Sequence, residues 1–81
     1  MVHVNLSITV GAESTALKIV EVCRDSGYKS AALSYLGFLG GGFHEARGVI
    51  ACTAENEAAA RAAWAAFVDN MHRAGFSRCI Y

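Results

Sequence analysis

Two short stretches of this chain are punctuated alike. The run "RDSGYKS" over 24–30 and the run "HRAGFSR" over 72–78 each pass through a glycine to an aromatic residue. A glycine just past the last helical turn takes up the left-handed backbone that ends a helix, and the apolar residue after it packs back on that helix. Such a signal, met twice, divides the chain into two halves. Each half should carry a helix that stops at its glycine and a strand that starts near its aromatic.

The segments around these stops fit that division. Residues 2–10 alternate strictly, with Val2, Val4, Leu6, Ile8 and Val10 on one side and His3, Asn5, Ser7 and Thr9 on the other. Period two with β-branched residues predicts a half-buried strand. From 13 to 26, Ala16, Leu17, Ile19, Val20, Val22 and Cys23 make one broad helical face. In the second half Thr53 is placed to cap a helix whose alanines give it high propensity. Ala60, Trp64, Phe67, Val68 and Met71 trace its expected buried stripe, and Glu57 and Arg61 form an i,i+4 pair.

Between the halves lie two apolar runs, 29–39 and 43–53, joined by Gly40, Gly41 and Gly42. A short glycine connector between such runs predicts a hairpin. A last short strand is expected over 76–81. The order β-α-β-β-α-β resembles the ferredoxin-like split β-α-β plait, an α+β fold. That plan implies a four-stranded antiparallel sheet of order 4-1-3-2 with both helices on one face.

The chain has 81 residues, so one domain over 1–81 is the expectation. Its hydrophobic share of 54% and mean hydropathy of +0.32 are high for a small domain. An apolar surface covered by a second copy accounts for that excess most simply, so a homo-oligomer, and first of all a dimer, is expected. Seven basic residues balance seven acidic ones, which argues against nucleic acid or an anionic membrane as partner. Cys23, Cys52 and Cys79 are widely spaced with no CxxC, as in a cytoplasmic protein with reduced thiols. The segment "MVHVNLSITV" lacks the basic start of a signal peptide, and no apolar run is long enough to span a bilayer.

With both helices on one face, the other sheet face stays open. The first strand gives that face His3, Asn5, Ser7 and Thr9; the third gives it Phe43, Glu45, Arg47, Val49, Ala51 and Thr53. Alternation assigns no face to the second strand. Its two sets, Ala31/Leu33/Tyr35/Leu39 and Ala32/Ser34/Leu36/Phe38, are both apolar, and a strand of that kind is expected to be covered on both sides. Self-association through sheet faces or through second-strand edges follows from this reading.

The stretch "GFLGGGFHEARG" has the glycines of a phosphate loop, but Phe43-His44 stands where the Lys and Ser/Thr belong. It also leads into a strand, so no helix N-terminus points N–H groups at an anion. His44, Glu45 and Arg47 are the densest polar group. On a strand Glu45 and Arg47 share a face and His44 takes the other, which suits a charge pair better than a converging acid–base dyad. His3, Cys52 and Cys79 use zinc vocabulary, but His3 and Cys52 alternate to opposite faces, so no metal or other cofactor is expected. The first and third strands lack the stacking aromatics of RNA-binding relatives of this plan, and no Arg precedes Arg24 to serve an acylphosphatase-type anion loop.

What remains is a non-enzymatic, self-associating module that binds a protein or a small apolar ligand. Its candidate binding residues are Asn5, Ser7, Tyr35, Phe38, Phe43, His44, Glu45 and Arg47, on the open face and the hairpin flanks. A small oligomeric enzyme with an intersubunit site, or an inhibitor that adds its second strand to a larger protein, are the alternatives.

Overall fold

A computed structural model of the chain describes residues 1–38, 45–76 and 79. The order of elements is β1 (Val2–Val10), α1 (Glu13–Asp25), β2 (Ser30–Phe38), β3 (Ala46–Ala54) and α2 (Glu57–Arg73). The sheet has three antiparallel strands in the order β1-β3-β2. β2 and β3 are consecutive and antiparallel, as a hairpin requires; the Gly40–Gly42 connector lies outside the described residues.

The fold is therefore α+β, but it is not the expected four-stranded 4-1-3-2 plait. The expected fourth strand is overturned at its start. The Phe76 N–H donates to the Met71 carbonyl at 2.8 Å and the Gly75 N–H to the His72 carbonyl at 3.2 Å, with Gly75 at φ 81°. These two bonds close a Schellman motif on α2. The Cys79 N–H then donates to the Phe76 carbonyl at 2.9 Å. Backbone groups that a ladder with β1 would use are engaged locally. The remaining residues of that expected strand, 77, 78, 80 and 81, lie outside the described ones.

The helix boundary between β3 and α2 also moves. Thr53 lies within β3 and caps nothing; the Asn56 side chain accepts from the Ala59 N–H at 2.8 Å and is the N-cap. Gly27 ends α1 at φ 114°, and Tyr28 behind it is buried, as the punctuation implies. Glu57 and Arg61 do pair, at 3.7 Å, with both side chains in solvent, where such a pair adds little.

One hydrophobic core lies between the sheet and the helices. It takes Leu6, Ile8 and Val10 from β1, Ile50 and Cys52 from β3, Ile19, Val20 and Cys23 from α1, and Ala63, Phe67 and Met71 from α2. The α2 stripe runs 63/67/71, so Trp64 is left partly in solvent, its ring centroid 5.6 Å from that of Phe67. Leu17 likewise falls outside the buried face of α1. At the far end of the helices, the buried Ser26 hydroxyl donates to the Val22 carbonyl at 2.6 Å and accepts from Asn70 Nδ2 at 3.1 Å.

β2 resolves the ambiguity of its sequence with a bulge. Leu33 pairs with Ile50 and Tyr35 with Val49, which leaves Ser34 as the extra residue. An extra residue shifts the side-chain alternation by one. Before it Ala31 and Leu33 share the register of core positions; after it Leu36 does so, opposite Gly48. The inward face is thus built from one alternating set before Ser34 and from the other set after it. β2 therefore carries apolar residues on both faces, Ala31, Leu33 and Leu36 inward and Ala32 and Tyr35 outward. The Ser34 hydroxyl donates to the Val49 carbonyl at 3.3 Å across the irregularity.

Candidate functional site

The open face of the sheet is a grid of four rows, read across β1, β3 and β2. They are His3–Thr53–Ser30, Asn5–Ala51–Ala32, Ser7–Val49–Tyr35 and Thr9–Arg47–Gly37. The alternation of β1 and β3 puts these residues outward because their neighbours Leu6, Ile8, Val10, Ile50 and Cys52 are core. Ser30 and Thr53 hydroxyls hydrogen-bond each other at 2.6 Å and close one end of the grid. The middle is a low floor of Ala32, Ala51 and Val49, with Asn5 and Ser7 along one side.

Tyr35 stands opposite Ser7 on the other side of that floor. It is 58% exposed, the most exposed large hydrophobic residue after Met1 among those described. A Cβ on residue 37 would collide with the Tyr35 hydroxyl and the ring carbons next to it. Glycine at 37 is therefore what lets the ring lie down along its own strand, towards the row that holds Arg47. The result is an aromatic plate lying along an edge strand, with amide and hydroxyl groups on the opposite strand and one guanidinium in the next row.

The predicted site residues divide accordingly. Asn5, Ser7, Tyr35 and Arg47 come together on the open face. Glu45 is exposed and precedes β3. Phe38 pairs with Ala46 and so stands at a register position of the opposite phase to Tyr35. Phe43 and His44 lie outside the described residues. Ser30 and Ala32 belong to the grid but escaped sequence reasoning, because the bulge hides the phase of β2.

Within one copy, the described basic side chains of this face lie at its two ends. His3 and Arg47 sit in the first and last rows, six strand positions or about 20 Å apart. His3 and Cys52 occupy opposite faces, and no group of three metal-ligating side chains occurs among the described residues. The perturbed groups are in the core instead. Cys23 is pushed far above the ordinary thiol range, first by its hydrogen bond to Cys52 and then by burial. Cys52 is the lower of the two, because the bond from Cys23 favours its thiolate against burial. Beside them burial, with a smaller contribution from both cysteines, pushes the Tyr28 phenol up to about 12. Cys79 is raised by burial as well. All three cysteines are free thiols.

No protein-family model matches this chain, and no curated protein or solved structure matches it either.

Proposed function

We propose that this chain is a non-enzymatic, self-associating binding module whose open sheet face takes up a small apolar ligand or an apolar side chain of a protein partner. The observation that carries the reading is the Tyr35 plate beside a floor of Ala32, Ala51 and Val49, with Asn5 and Ser7 facing it. An aromatic ring offers a large contact area at low entropy cost, and nearby amide and hydroxyl groups orient what stacks on it. The free thiols favour a reducing compartment such as the cytoplasm. Among the described residues no helix is long and apolar enough to cross a membrane.

The test is a screen of small aromatic and aliphatic fragments followed by amide chemical shifts. Hits should map to Tyr35, Val49, Ala51 and Asn5, and Tyr35→Ala should weaken them about tenfold or more, as loss of a stacking aromatic does. Hits that map to the helices and survive Tyr35→Ala would refute the assignment.

A further inference from the structure

The three-stranded sheet has two edges, and they are built differently. The β2 edge is interrupted by the bulge at Ser34, and Arg24 reaches over from α1 to donate to the Ala31 carbonyl at 2.9 Å. Bulges and cationic side chains are the devices by which proteins blunt an edge against pairing with another chain. β1 has none of them. Its nine residues, "VHVNLSITV", contain no Lys, Arg, Asp, Glu, Pro or Gly, and its register with β3 is unbroken from Val2 to Val10. Among the described residues no strand pairs with its other side.

The sequence of β1 also matches itself. In an antiparallel pair about a two-fold axis, residue i faces residue j with a constant sum. Only the register centred on Leu6 uses all nine residues. It sets Val2 against Val10 of the second copy, Val4 against Ile8, and Leu6 against Leu6. On the open face it sets His3 against Thr9 and Asn5 against Ser7. Every apolar residue meets an apolar one and every polar residue a polar one, with no like charges opposed. Val2 and Val4, which the monomer leaves half-buried, would gain neighbours from the better-buried end of the strand.

We infer that two copies of this chain join through β1, antiparallel and centred on Leu6, into a continuous six-stranded sheet with all four helices on one face. This deepens the proposed self-association by naming its surface, and it moves that surface from β2 or the sheet faces to the β1 edge. The two open faces then form a single surface, which puts Asn5 and Ser7 of both copies at its centre and the Tyr35 plates towards its outer edges.

Light scattering on the intact chain and two double variants tests the register. The unaltered chain should be a dimer at high-micromolar concentration. Asn5→Lys with Ser7→Lys opposes like charges twice across the seam, and the dimer should weaken about tenfold or more. Asn5→Lys with Ser7→Glu opposes unlike charges in the Leu6-centred register alone, and it should dimerise within about threefold of the unaltered chain. In registers centred on residue 5 or 7 the second variant would set like against like and dissociate. Hydrogen exchange gives an independent readout. The β1 amides that do not bond β3 should be protected in the dimer and exchange fast in the double-lysine variant. A monomeric unaltered chain overturns both the inference and the self-association beneath it. A dimer that leaves those amides open, or ignores both double variants, overturns the edge pairing alone.

Discussion

Tyr28 shows how one residue can report on the whole core. It follows the left-handed Gly27, so its ring is turned inward as α1 ends, and it comes to rest beside Cys23 and Cys52. Burial first, then the two cysteines, raises its phenol from 10.0 to about 12. A phenol raised on folding is one whose neutral form the fold prefers. Its contribution to stability is therefore complete below pH 10 and is lost as pH climbs towards 12, where the folded form also ionises. An absorbance titration of the phenolates should show one late step near pH 12 that Tyr28→Phe removes. Urea midpoints should fall between pH 10 and 12, and fall less in that variant. If no step near pH 12 is lost in Tyr28→Phe, Tyr28 does not occupy the core position described.

At the level of elements, regular alternation made β1 and β3 legible, and with them the open-face positions of Asn5, Ser7, Arg47, Val49 and Ala51. The same test could not read β2, because one inserted Ser34 exchanges its faces midway, and a bulge has no residue signature of its own. On α2 the expected stripe holds at Phe67 and Met71 but not at Trp64, for another reason. Alanine fills most positions from 58 to 66, so the sequence marks Ala63 no more than Ala62 or Ala65, and Trp64 takes its place in the expected stripe. The symmetry of the two halves predicts a fourth strand, and at Phe76 that symmetry gives way to the bonds that close α2. The bulge gives this level its own prediction. Removing Ser34 restores regular alternation, with Leu33 inward and Tyr35 outward, so its deletion should keep cooperative unfolding at a cost of about 1–2 kcal/mol. Deleting Val49 from the central strand has no bulge to absorb it and sends half of β3 to the wrong face on both of its pairings. Circular dichroism melts of the two deletions should differ sharply. Equal damage from both would mean that Ser34 is needed where it is.

The molecule as a whole carries no net formal charge. β1 has no Asp, Glu, Lys or Arg, while the ion pairs Glu57–Arg61 and Asp69–Arg73 lie on the exposed side of α2. Association through β1 would be made of backbone hydrogen bonds and apolar pairs. Neither depends strongly on ionic strength, whereas contacts between exposed charges fade within a Debye length of about 10 Å at 0.1 M salt and about 3 Å at 1 M. Raising sodium chloride from about 50 mM to about 500 mM should therefore leave the dimer constant within about threefold, or tighten it slightly as apolar burial becomes more favourable. The double-lysine variant behaves in the opposite sense to an ordinary charged interface. Its defect is repulsion across the seam, so added salt should restore much of the lost association. A dimer of the unaltered chain that dissociates as salt rises would be held by charged side chains, and would place the interface away from the β1 edge.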